Sequence, residues 1–183
     1  MTSEQPFGYV SHEGCDHVFF VGFLGAGKST LARNLGSLFH RSYVDTDRMA
    51  ERIARKTVAQ MFAEDGEEAF RAVEIRALER LQTRKSLLVS CGGGIVETAR
   101  ARELMREMGA VVFLEGDLED SLRQIQHPEK RPDLGTYEEA QALLAHRRPL
   151  YEEVADFTID IRGKKFDQVA SEAGQLLWEA GLL

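Results

Sequence analysis

Gly22-Phe23-Leu24-Gly25-Ala26-Gly27-Lys28-Ser29 satisfies the pattern G-x-x-x-x-G-K-[ST] at every fixed position. An apolar run, His17-Val18-Phe19-Phe20-Val21, precedes it. Thr30 to Leu38 follow it, with Leu31, Leu35 and Leu38 at helical spacing. The run reads as a buried parallel strand, and the following segment as a helix beginning near Lys28. Glycines let the backbone curl so that successive N–H groups point inward at an anion, and the helix adds the positive end of its dipole. Lys28 can then reach the β- and γ-phosphates of a nucleotide, and the Ser29 hydroxyl can ligate Mg²⁺. The competing reading is a glycine-rich turn that happens to precede a lysine; the strand-then-helix context argues against it.

The remainder of the chain repeats that alternation. Short apolar strands are expected at 40–45, 86–90, 110–114 and 157–161, separated by amphipathic segments, so the class is α/β with a parallel sheet of about five strands. The 183 residues suggest one domain over 17–183, preceded by a flexible extension over 1–16 that has neither the basic start nor the apolar core of a signal peptide. A net charge of −7 argues against a general nucleic-acid or membrane-surface binder. Cys15 and Cys91 are far apart and form no C-x-x-C pair, which suits a reduced, cytoplasmic setting.

Three further features fall after strand ends. Asp45-Thr46-Asp47 closes the second strand; if it stays extended, both carboxylates face one side. The alternative is an aspartate capping the next helix. Cys91-Gly92-Gly93-Gly94 closes the third strand, and a glycine run there fits either a ligand resting on bare backbone or a tight turn. Ligands of open α/β sheets bind at the carboxyl ends of strands, so phosphate loop, aspartates and glycines converge on one site. Helices are expected at 57–62 and 67–81, where Arg71 and Glu74 are neighbours on one side. Taken alone, Glu67, Glu68, Arg71 and Glu74 could equally be a solvated face of weak ion pairs. Residues 127–135, rich in proline and charge, read as a loop suited to be a lid over a phosphate site. Thr136 to Glu139 open a helix with a capping box, and Pro149 is expected to close that helix near Arg148. Arg147 lies on the helix's inner register and needs an anionic partner.

Asp45-Thr46-Asp47, Phe70-Arg71-Ala72-Val73-Glu74, Gly92-Gly93-Gly94, Arg131-Pro132 and Arg147-Arg148-Pro149-Leu150-Tyr151, in this order behind the phosphate loop, resemble the shikimate kinase family from about Val18 to Ile161. The resemblance implies a three-layer P-loop kinase fold with sheet order 2-3-1-4-5 and a mobile lid. It implies transfer of the ATP γ-phosphoryl group to the 3-hydroxyl of shikimate, with Mg²⁺ as cofactor, by a cytoplasmic monomer that binds neither nucleic acid nor membrane. By position, Gly25, Ala26, Gly27, Lys28, Ser29 and Thr30 would contact ATP, joined by Arg131 from the lid. Ser29 and Asp45, the latter through water, would serve the metal. Asp47 would bind the acceptor hydroxyl and favour its deprotonation, Arg71 and Arg147 would clamp the carboxylate, and Gly92, Gly93 and Gly94 would line the substrate. Glu74 would hold Arg71. The chain departs from the family's pattern at Asp133, where the lid usually carries leucine, and at Gln124, where an arginine often flanks the adenine; Arg123 lies one step away. The rival readings are another small-metabolite or nucleoside-monophosphate kinase, and an ATP-binding regulatory module without catalysis.

Overall fold

The computed structural model describes residues 14–124 and 135–183. Five parallel strands, β1 (His17–Val21), β2 (Tyr43–Asp45), β3 (Leu88–Ser90), β4 (Gly109–Glu115) and β5 (Phe157–Asp160), form one sheet in the order β2-β3-β1-β4-β5. Helices α1 (Lys28–Leu38), α2 (Thr46–Ala54), α3 (Val58–Gln60), α4 (Gly66–Glu79), α5 (Ala99–Met108), α6 (Leu118–Gln124), α7 (Tyr137–Val154) and α8 (Phe166–Glu179) complete it. Parallel strands joined by helical crossovers must bury both faces, which is why β1 has no polar alternation. All five of its residues are buried. Val18 and Phe20 pack on Leu31, Leu35, Ala173 and Leu177 of α1 and α8. Phe19 and Val21 face the opposite way, into the layer of Leu78, Leu104, Met105 and Tyr151. The sheet is therefore the middle of three layers, as the resemblance implied.

The register brings the chemistry to one edge. Phe20 pairs with Ser90 and Ser90 with Asp45, so β1, β2 and β3 end level with one another. The phosphate loop leaves the sheet where Asp45 and the Gly92 run also leave it. β1 lies between β3 and β4, so the chain departs to opposite sides around it, the arrangement that opens a crevice in sheets of this class.

Several expectations are corrected. Asp45-Thr46-Asp47 does not stay extended: Asp45 is the extended N-cap of α2, and Asp47 lies in that helix's first turn. Pro149 does not end α7, which runs on to Val154. A proline inside a helix forfeits one backbone bond, but Leu144 and Arg147 before it and Tyr151 and Val154 after it are all buried, and that packing outweighs the local preference. The break expected between 62 and 67 is a five-residue π-helical turn, Met61–Asp65, joining α3 to α4. It carries Phe62 onto Phe70, ring centroids 4.8 Å apart. Leu38 is exposed rather than in the core, and Trp178, also exposed, stacks on Phe39. Of the expected lid, residues 127–134, including Arg131 and Asp133, lie outside the described residues, as does most of the expected extension over 1–16.

Tyr151 ties the lower layer to the site. It is fully buried, its ring stacks on Phe113, and its hydroxyl donates to the Gly93 carbonyl at 2.5 Å. Tyr151→Phe leaves that carbonyl without its donor, at a cost of about 1–3 kcal/mol. The expected result is a melting temperature lowered by roughly 3–10 °C. An unchanged thermal denaturation curve would mean that the bond contributes nothing to the fold.

Candidate active site

The loop between β1 and α1 curls as its glycines require. Gly25 and Gly27 have φ of 73° and 86°, and Gly27 caps the helix that begins at Lys28. The Lys28 side chain is buried, and its ammonium donates to the Gly22 and Phe23 carbonyls at 2.7 Å each. This pins the charge inside the loop. Ser29 Oγ donates to Asp45 Oδ2 at 2.9 Å and lies 2.9 Å from Ser90 Oγ. Asp45 Oδ1 accepts from the Arg48 backbone N–H. Asp45 thus does both things open to it: it caps α2 and faces the loop serine. Ala26, Gly27 and Thr30 also border a pocket of about 440 Å³ that Arg123, Lys164 and Lys165 line on the far side. Arg123 Nη2 donates to Asp120 Oδ1 at 2.5 Å, and both residues line this pocket.

Gly93 and Gly94 line a larger cleft of about 1200 Å³, and Gly92 and Gly93 line the pocket beside it at the phosphate loop. Each glycine lies under a different charged side chain. A Cβ on Gly92 would meet Asp47 Oδ1 at 2.3 Å, and one on Gly94 would meet Arg71 Nη2 at 2.3 Å. One on Gly93 would stand 3.6 Å from Arg147 Nη1. Any side chain at 92 or 94 would displace the acid or the guanidinium. Of the two readings of this run, the tight turn is observed, with the Ile95 N–H donating to the Gly92 carbonyl at 3.1 Å, and the groups that come close to it are the protein's own side chains. Thr46, itself buried, accepts the Gly92 N–H at 2.9 Å and sets the height of that floor.

Arg71 and Glu74 are not a solvated face. Glu74 is 1% exposed. Arg71 Nη1 donates to Glu74 Oε2 at 2.6 Å and Nη2 to Glu67 Oε1 at 3.0 Å. The guanidinium lies 5.4 Å from the Phe70 ring centroid and 5.9 Å from that of Phe62. Arg147, 4% exposed, donates through Nε to Glu97 Oε1 at 2.8 Å. Its inner-register position therefore has a protein partner that sequence spacing did not reveal, because Glu97 is 50 residues away and follows an unremarkable helical turn. Among the described residues, Arg71 Nε, Glu74 Oε1 and Arg147 Nη1 are buried without a hydrogen-bond partner. All three line or border this cleft, where an unpaired polar atom is costly.

Burial pushes the Glu74 carboxyl up to about 7, against the pull of Arg71. Between about 4.5 and 7 the folded protein then keeps a proton that the unfolded chain has released. The stability contributed by this group is complete below the lower value and is lost as pH rises through the upper one. Glu74→Gln removes that slope. The wild-type stability measured relative to the Gln variant should fall by at most about 3 kcal/mol from pH 4.5 to pH 7. Parallel chemical-denaturation profiles for the two proteins across that window would reject the assignment.

The family model described as shikimate kinase matches residues 24–178. The chain is 36% identical over 166 residues to the shikimate kinase of Vibrio campbellii, covering 89% of this chain and 96% of that protein. It is 37% identical to the shikimate kinase of Chlorobium chlorochromatii, covering 85% of this chain and 87% of that protein. Among solved structures, the shikimate kinase of Acinetobacter baumannii in complex with shikimate is similar with a TM-score of 0.81 and 33% identity, over 92% of this chain and 93% of that one. A phosphate loop beside a glycine floor carrying one acid and two guanidinium groups, and relatives matched over nearly their whole length, lead to one conclusion: this chain belongs to the shikimate kinase family.

Proposed function

We propose that the protein transfers the γ-phosphoryl group of ATP to the 3-hydroxyl of shikimate. The observation that carries this reading is the triple glycine with Asp47, Arg147 and Arg71 set against its three residues, beside the phosphate loop. Shikimate is a small ring bearing one carboxylate and several hydroxyls. Two arginine edges match the carboxylate, since planar guanidinium groups pair with carboxylates through two parallel bonds. The unpartnered Nη1 of Arg147 supplies a donor for it. Asp47 then stands at the opposite part of the cleft, nearer the phosphate loop, where it shares a pocket with Lys28 and Ser29.

In this reading Asp47 accepts the proton of the acceptor hydroxyl as its oxygen bonds to the γ-phosphorus and ADP leaves. Lys28 and the loop N–H groups, with Gly25, Ala26, Gly27, Ser29 and Thr30, hold the phosphates; Arg131, to which the family resemblance gives the transferring group, lies outside the described residues. Little covalent chemistry is asked of the protein, so positioning and charge stabilisation carry the rate. The Ser29 hydroxyl and the Asp45 carboxylate, 2.9 Å apart, are hard oxygen donors that fit Mg²⁺ held largely through water and phosphate. When bound, the ion neutralises charge on the phosphate oxygens. Cys15 and Cys91 are both free thiols, and burial pushes Cys91 well up, which supports a reduced cytoplasmic setting and an inert role for that thiol. No described helix is long and apolar enough to cross a membrane.

The test is ADP release from ATP and Mg²⁺ with and without shikimate. Release should depend on shikimate; release without that dependence, or none with ATP still bound, would reject the acceptor assignment. Asp47→Asn should lower kcat by about 10²–10⁴-fold while ATP binding, followed by calorimetry, persists. Loss of ATP affinity instead would move Asp47 out of the acceptor side.

A further inference from the structure

Glu97 lies on the short turn Ile95–Glu97 immediately after the triple glycine, its N–H bonded to the Gly94 carbonyl at 3.0 Å. One stretch of backbone therefore supplies both the floor under the acceptor and the carboxylate facing Arg147. The two oxygens of that carboxylate have different partners. Oε1 accepts from Arg147 Nε at 2.8 Å, and Oε2 lies 2.9 Å from His146 Nε2. His146 is exposed, its side chain 62% accessible, while the Arg147 side chain beside it is 5% accessible. Both residues line the large cleft. Partial burial would raise the Glu97 carboxyl, but hydrogen bonds from Arg147 and His146 hold it below its ordinary value.

We propose that Glu97 is the positioning residue for the Arg147 clamp, and that His146 makes acceptor affinity depend on pH through Glu97. The inference rests on the reading of the acceptor as a carboxylate held by Arg147. Holding Nε fixes the plane of the guanidinium and leaves the Nη edge, with its unpartnered Nη1, for the ligand. With His146 neutral, the full charge of Glu97 offsets that of Arg147, and the acceptor carboxylate is drawn less strongly. With His146 protonated, the Glu97 charge is matched from the solvent side and the clamp presents more net positive charge. Acceptor affinity then rises as His146 takes up its proton. Among the described residues, the other charged groups facing this cleft are Arg71, Glu74 and Glu67 from α4, Asp45 at the end of β2, and Asp47, Arg48 and Glu51 from α2, with the Tyr151 hydroxyl beneath Gly93. Glu74, pushed up to about 7, also titrates in this cleft. The His146 contribution is accordingly the difference between wild type and a His146 variant.

The experiment measures kcat and the KM for shikimate and for ATP from pH 6 to pH 8 in wild type, His146→Gln, Glu97→Ala and Glu97→Gln. The wild-type shikimate KM should rise with pH by about two- to fivefold more than that of His146→Gln, the range for a solvent-exposed ion pair. Glu97→Ala should raise the shikimate KM by roughly tenfold, with a smaller change in kcat and in the KM for ATP, and Glu97→Gln should recover part of it. A merely structural role would move neither the pH profile nor the shikimate-to-ATP split. Turnover with parallel wild-type and His146→Gln profiles, or an unchanged shikimate KM in Glu97→Ala, overturns the inference alone. No shikimate turnover by wild type overturns the proposed function and this inference with it.

Discussion

A carboxylate and two guanidinium groups can rest against the end of a buried strand only where the backbone has no side chains in their way. At Gly92 and Gly94 the space that a Cβ would need is already filled by Asp47 Oδ1 and Arg71 Nη2. The rest of the site follows from this contact. It lets α2 and α4 bring their charged residues onto the sheet edge. It makes the floor a run of backbone without side chains, and Gly92 and Gly93 share a pocket with Lys28 and Ser29 of the phosphate loop. The floor is supported from both sides: Thr46 accepts the Gly92 N–H, and Tyr151 donates to the Gly93 carbonyl.

Burying so much charge is offset pair by pair. Arg71 is bonded to Glu74 and Glu67 and Arg147 to Glu97, while the Lys28 ammonium is solvated by the carbonyls of its own loop. Such pairs add little net stability, because desolvation cancels much of the attraction. Their consequence is geometric. Each carboxylate takes part of a guanidinium's donor fork and leaves another part facing the cleft. The buried atoms left unpartnered, Arg71 Nε, Glu74 Oε1 and Arg147 Nη1, are thus a product of the same arrangement. Two of them, Arg71 Nε and Arg147 Nη1, are donors, the kind of group that an anion can satisfy.

The two sides of the site are built by different physics. The phosphate-loop side is local: the strand, the loop and the helix that starts in it occupy twenty-two consecutive residues from His17 to Leu38. The acceptor side is assembled from α2, α4, the β3 end and α7, which are distant in sequence and meet only through the sheet order. Arg147 meets Glu97 across 50 residues, and Gly92 meets Thr46 across 46.

That division explains what could be read from the chain alone. The phosphate loop, its flanking strand and helix, the five-strand α/β class and the buried stripe of Ala140, Leu144 and Arg147 follow from spacing and backbone chemistry, which act over a turn or a strand. The sheet order and the roles of Asp47, Arg71, Glu74 and Arg147 were implied by family resemblance, since nothing local specifies which strands become neighbours. Where local rules stood against packing, packing won: Pro149 stays inside α7, and the gap before α4 closes as a π-helical turn. The competing roles of Asp45 could not be separated in sequence because capping α2 and facing Ser29 need the same carboxylate in the same place, and the fold satisfies both. Glu97 and His146 carried no signal, because a carboxylate three residues past a glycine run is ordinary until the sheet brings α7 against it. The sequence by itself determined the phosphate loop and the α/β class, whose determinants lie within one element. Only the tertiary structure decided which carboxylate holds Arg147, because a buried charge with no partner on its own helix is met by whatever the packed layers place within reach.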